Sequence, residues 1–264
     1  MDFGKVFGTE KPIIGLVHLP PLPGAPKFEA GTRMKDLVKT AVKDAKALKE
    51  AGFDAMIFAN EGDYPYSNPV GLETVAAYAR IATEVIDKVK MPYGVGCLID
   101  PKATFALARA LDAQFVRTYM SGVFASLFGL EVFNPGDIAR YIKSIDAGSI
   151  PMFLNLTPHA GTSLDKREFL SLIDGALFML GPEVVLMPGP RAGLPPDLAL
   201  LKEAKKRYPK VKIMVSSGVT PANVKEALEY GDGILVGTNV KVDGYIFNPI
   251  DPARCEALMK AAGR

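Results

Sequence analysis

Eight times along this chain an apolar run of strand length is followed by a segment of helical period. The runs are "PIIGLVHL" (12–19), "DAMIFAN" (54–60), "PYGVGCLI" (92–99), "QFVRTYM" (114–120), "IPMFLNL" (150–156), "EVVLMP" (183–188), "VKIMVSS" (211–217) and "DGILVGT" (232–238). Most are nearly continuous in apolar residues rather than alternating, as strands of a parallel sheet covered on both faces must be. Between 34 and 51, Leu37, Val38, Ala41, Val42, Ala45 and Leu48 form one stripe opposite lysines and acids, and Gly52 supplies a helix stop. Further helices are expected at 70–89, 101–112, 136–147, 166–180, 196–208, 221–230 and 251–262, several of them opened by a proline. Eight strand–helix units predict a single (β/α)8 barrel spanning 1–264. A doubly wound sheet is the alternative, but Gly94 and Gly96 lie within a strand and no third glycine opens a helix after them.

The 264 residues suit one barrel of about 250 residues. With 31 basic against 29 acidic residues there is no basic excess to bind nucleic acid, and Lys202, Lys205, Lys206 and Arg207 read as a solvated helix face. Cys97 and Cys255 have neither zinc nor disulfide spacing, so a reducing compartment is expected. No signal-like opening and no apolar run of about 18 residues appears. The expectation is a cytoplasmic protein without an integral membrane segment. A homo-oligomer is compatible with the sequence, which marks no interface.

Residues just past the carboxyl ends of barrel strands share one face, where active sites form. His18, Asn60, Glu61, Asp63, Asp100, Arg117, Asn155, His159, Arg191 and Lys241 fall there. Glu61 and Asp63 stand two apart on a turn. Two carboxylates that close divide acid from base work, or hold Mg²⁺ together with phosphate oxygens. Asp100 before Pro101 is also a good helix N-cap. Arg117 interrupts an apolar strand and needs an anionic partner if it points inward. The last two strands end in small residues: Ser217, Gly218 and Val219, then Gly237 and Thr238. Loops of this kind let backbone N–H groups approach a phosphate, and these five are the expected phosphate site. Glu61, Asp63, Asp100, Arg117 and His18 are the catalytic candidates. Asn60, Asn155, His159, Arg191 and Lys241 are candidates for holding the rest of a substrate. Two histidines among scattered acids do not make a zinc signature. Lys241 is the sole lysine near a strand's carboxyl end, which argues against a Schiff-base aldolase.

Three stretches, "IGLVHLPPLPGAPKF" (14–28), "AGFDAMIFANEGDYPY" (51–66) and the run from "SSGVTPANV" to "DGILVGTNVKVDGYIFNPID" (216–251), resemble the BtpA/SgcQ family over nearly the whole chain. The resemblance implies a phosphate-binding TIM barrel, with some members linked to photosystem I biogenesis and others to sugar-utilisation operons. It leaves two readings open. One is an enzyme acting on a sugar phosphate or nucleotide by acid–base chemistry, as an isomerase, a lyase or a glycosidic-bond cleaver. The other is a non-catalytic assembly or binding factor. The chain departs from the family's pattern at the reactive face, where Asn155 stands in place of a basic residue and Ala59 precedes Asn60.

Overall fold

A computed structural model describes residues 1–158, 161–189 and 194–264. Eight parallel strands close into a barrel: β1 (Ile13–His18), β2 (Ala55–Ala59), β3 (Tyr93–Gly96), β4 (Phe115–Thr118), β7 (Met152–Asn155), β9 (Val184–Met187), β10 (Lys212–Val215) and β11 (Ile234–Val236). Each lies inside one of the eight apolar runs. Around them pack α2 (Met34–Glu50), α3 (Leu72–Lys88), α4 (Pro101–Ala110), α5 (Pro135–Ser144), α6 (Phe169–Met179), α7 (Leu198–Arg207), α8 (Val224–Tyr230) and α9 (Pro252–Ala262). The expected stripe on α2 is buried at Leu37, Val38, Ala41, Ala45 and Leu48. Asp100, Asn134, Asp197 and Asp251 cap their helices through side-chain oxygens.

The two faces of each strand have separate jobs. Val17, Met56, Phe58, Val95, Val116 and Leu154 pack outward among the helices. Ile14, Leu16, Ile57, Phe115, Phe153, Leu186, Met214 and Leu235 form a second cluster inside the barrel. Side chains two apart share a face. His18 therefore follows Leu16 inward, Arg117 follows Phe115, Asn155 follows Phe153, and Ser216 follows Met214.

Two additions lie outside the eightfold alternation. A short helix, α1 (Phe3–Phe7), closes the amino-terminal end of the barrel, and its Phe3 and Phe7 join the interior cluster. Phe7 meets Phe115 edge to face at 5.6 Å, and Phe115 stacks on Phe153 at 4.4 Å. Past β4 the chain forms a hairpin, β5 (Gly122–Ser126) and β6 (Gly129–Phe133), extended by β8 (Thr162–Ser163) into a three-stranded sheet in the order β6-β5-β8. Among the described residues no helix is long and apolar enough to cross a membrane.

Candidate active site

A cavity of about 440 Å³ opens at the carboxyl ends of the strands. Its base is set by the inward faces of β1, β4, β10 and β11 through Leu16, His18, Arg117, Ser216 and Leu235. Glu61 enters from the turn after β2, and residues 216–220 and 236–239 form one side. The inner face of the β5–β6 hairpin forms another, bringing Phe124, Ser126, Glu131 and Phe133.

The two groups best placed for proton transfer are His18 and Glu61. His18 Nε2 lies 3.8 Å from Glu61 Oε2. Neither atom finds a hydrogen-bond partner among the described residues. His18 Nδ1 lies 3.3 Å from the carbonyl oxygen of Ile246. A carbonyl only accepts, so the proton sits on Nδ1 and Nε2 presents a lone pair to the cavity. Burial, reinforced by the positive charges of Lys241 and Arg117, pushes the His18 pKa down to about 3, and the Ile246 hydrogen bond opposes this. The ring is neutral across the physiological range. Burial raises the Glu61 pKa, with Arg117 and Lys241 pulling the other way. A carboxyl facing a lone pair, with its pKa raised by burial, is a candidate for proton transfer. Two further buried polar atoms at this end are without a partner among the described residues, Ser216 Oγ and Asn155 Oδ1. Asn155 lines a small neighbouring pocket that it shares with Arg117.

The other acidic candidates serve the loops. Asp63 does not face the cavity with Glu61. Its Oδ1 accepts from the Leu22 N–H at 2.8 Å and its Oδ2 from Asn60 Nδ2 at 3.0 Å, tying the loop after β1 to the turn after β2. The two carboxylates of that turn thus point to different surroundings, because the 3-10 turn Glu61–Asp63 aims alternate side chains apart. Asn60 Oδ1 accepts from the Leu98 N–H at 2.6 Å, bracing the loop after β3. Asp100 caps α4 and takes the Val70 N–H at 3.0 Å. Lys241 is fully buried and absent from the cavity lining; its Nζ bonds Asp44 Oδ2 on α2 at 3.0 Å, while Asp44 Oδ1 accepts from the Ile250 N–H. It holds the last loop against α2 and reaches the site only through its charge. His159 and Arg191 lie outside the described residues. Among the described residues no lysine lines the cavity, and no three His, Cys, Asp or Glu side chains gather as metal ligands.

The five small residues at the ends of the last two strands do come together. Ser217, Gly218, Val219, Gly237 and Thr238 all line the same cavity. Among the described residues no backbone oxygen accepts from the N–H groups of Gly218, Val219, Gly237 or Thr238. The glycines are also required by their neighbours. Gly218 has φ +67°, and a Cβ there meets the backbone of Leu194 and Pro195. A Cβ on Gly237 lies 3.1 Å from His18 Cε1. Ser217 Oγ is committed to the loop after β9, accepting from the Gly189 N–H at 2.6 Å.

Aromatic side chains complete the cavity, and sequence inspection did not single them out. Tyr64, Tyr66 and Phe128 form one contacting group, with centroids 5.3 to 6.3 Å apart. Tyr119, Phe124 and Phe133 form another, at 5.4 to 5.7 Å. The signal was present as three aromatics within 124–133, but no strand–helix unit accounts for that segment.

The sequence model of the BtpA family matches residues 9–264. The putative sgc region protein SgcQ of Escherichia coli is 37% identical over 256 residues, covering 97% of this chain and 96% of its own. The photosystem I biogenesis protein BtpA of Synechocystis is 28% identical over 267 residues, covering 99% and 91%. Among solved structures, phosphoribosylanthranilate isomerase from Thermotoga maritima superposes with a TM-score of 0.56 at 14% identity, covering 96% of this chain and 98% of that one. At that identity the likeness is one of fold.

Proposed function

The chain belongs to the BtpA family, and we propose that it is an enzyme acting on a small phosphorylated compound by acid–base chemistry at the mouth of the barrel. The observation that carries this reading is the His18–Glu61 pair. Two mutually facing groups, whose facing atoms are buried and have no hydrogen-bond partner among the described residues, sit in one cavity with two loops whose backbone N–H groups no described backbone oxygen accepts. Buried polar groups ordinarily find partners within the chain, and groups left open at the catalytic face of a barrel are explained best by a ligand.

In this reading the phosphate is held by the N–H groups of Gly218, Val219, Gly237 and Thr238, with Ser217 supporting the loop. The reacting carbons then lie over the barrel centre. Glu61 takes and returns a proton, and His18, neutral with its Nε2 lone pair exposed, shares that proton or orients the hydroxyl that carries it. Arg117 stabilises negative charge that develops on an enolate or a leaving group. Asn155 and Ser216 meet substrate hydroxyls. Asp63, Asn60, Asp100 and Lys241 position the loops that carry these groups. The chemistry covers isomerisation, cleavage without a Schiff base, or loss of a glycosidic base. Two buried, unpaired cysteines, Cys97 and Cys255, support a reducing, cytoplasmic setting.

A second reading, an assembly or binding factor, has its own support. Leu127, Leu130 and Val132 on the outer side of the hairpin and Leu164 beside it are exposed. One relative is also named as a biogenesis protein. A thermal-shift screen of sugar phosphates and nucleotides separates the two. Stabilisation by a phosphorylated compound, lost on Gly237→Val, supports the enzyme; no stabilisation by any compound moves the assignment to the binding factor.

A further inference from the structure

The proposed chemistry uses the base of the cavity and the two phosphate-facing loops. It leaves the hairpin wall without a purpose. On β5 and β6, cross-strand partners share a face, and Phe124 pairs with Glu131 while Gly122 pairs with Phe133. Phe124, Glu131 and Phe133 therefore look into the cavity together, and Ala125, Leu130 and Val132 look out. Packing the hairpin onto the barrel explains the phenylalanines. It does not explain Glu131. That carboxylate is half-buried in an aromatic wall and makes no hydrogen bond or ion pair among the described residues. A carboxylate placed so loses part of its hydration, and donors on a ligand can restore it.

We propose that the compound bound here carries, at the end away from its phosphate, a planar nitrogen heterocycle with adjacent N–H donors, which stacks against the aromatic wall and hydrogen-bonds to Glu131. Three features lead there. Planar rings stack on aromatic side chains regardless of their exact identity, and six such side chains border the cavity. The two oxygens of a carboxylate match two neighbouring donors, as on the N1–H and exocyclic amine edge of guanine. Among the described residues, unclaimed N–H groups on the loops after β10 and β11 face one part of the cavity, Arg117 and Glu61 lie at its base beside His18, and Glu131 is the acid on the hairpin wall. A second phosphate or a carboxylate at the ring end is repelled, so the ligand has one anionic end. A cavity of about 440 Å³ also suits a ligand larger than a short sugar phosphate. The inference rests on the phosphate assignment made above.

Isothermal titration of the whole chain with guanosine 5′-monophosphate, ribose 5-phosphate and guanosine tests both layers at once. Guanosine 5′-monophosphate is expected to bind at least about tenfold more tightly than ribose 5-phosphate. Glu131→Gln, which keeps the shape but faces donors with a donor, is expected to remove about tenfold of the nucleotide's affinity and none of the sugar phosphate's. If the nucleotide and the sugar phosphate bind equally and Glu131→Gln changes neither, the heterocycle is refuted while the phosphate site stands. If guanosine binds as tightly as its monophosphate, the phosphate assignment is refuted while the ring site stands. Binding by none of the three overturns both.

Discussion

At its amino-terminal end the barrel is filled by Phe3, Phe7, Phe115 and Phe153, rings against rings, with Lys212 lying 4.8 Å over Phe3. At its carboxyl-terminal end, two residues further along the same faces, stand His18, Arg117, Asn155 and Ser216, three of them with polar atoms that the described residues leave unsatisfied. One end repeats a protein core. The other gives up hydrogen bonds that a core would demand. Strand geometry is common to both, so the difference lies in the side chains alone, and it divides stability from function along the barrel axis.

The division is broken most decisively at Glu61. Glu61→Gln is expected to lower turnover, on whichever substrate the screen returns, by about 10²–10⁴-fold while leaving thermal unfolding near that of the parent. The exposed control Lys206→Ala leaves both unchanged, within about 0.5 kcal/mol in stability. Full turnover in Glu61→Gln refutes its role. At the opposite end, Phe153→Ala opens a hole in the stacked rings and is expected to cost about 3–5 kcal/mol by denaturant unfolding, with turnover kept below the lowered transition. Equal loss of activity and stability there shows that the two ends are not independent.

A smaller effect concerns pH. The folded His18 takes a proton only near pH 3, while an unfolded histidine does so at 6.5. The unfolded chain binds the extra proton between these values, so this group's contribution to stability is present above 6.5 and is lost as pH falls toward 3. Glu61, whose pKa is raised, acts with the opposite sign and loses its contribution as pH rises through its folded value. His18→Asn is expected to flatten the acid-side loss by on the order of 2 kcal/mol between pH 6.5 and 5, at 1.36 kcal/mol per unit. Urea unfolding at the two pH values reads it, and an unchanged slope places the burden on other groups. The smallest expected change is a gain. Ser216→Ala removes a buried hydroxyl without a partner among the described residues and is expected to raise stability by about 1 kcal/mol while weakening substrate binding. A loss of stability instead shows that Ser216 is engaged in solution.

The sequence by itself determined the barrel. Eight apolar runs, each ended by polar or small residues and followed by a helical stripe, admit few other closures. It also made part of the inward set legible, because a step of two from Leu16, Phe115, Phe153 and Met214 leads to His18, Arg117, Asn155 and Ser216, while Asp63, Asp100 and Lys241, expected at the same face, turn to the loops and α2 instead. The pairing of functions within that set was decided only by the tertiary structure. Glu61 and Asp63 are neighbours in sequence and part ways in space, whereas Glu61 and His18 meet only because β1 and β2 lie side by side. Lys241 is at a strand end like the others, yet its partner is Asp44, 197 residues away on a helix stripe that otherwise reads as apolar or solvated. The hairpin escaped notice because its strands are glycine-bounded and partly exposed, carrying neither the period of a helix nor the continuous apolar run of a buried strand. Local pattern reports burial and period; which buried group faces which is fixed by barrel closure, and closure is a property of the whole chain.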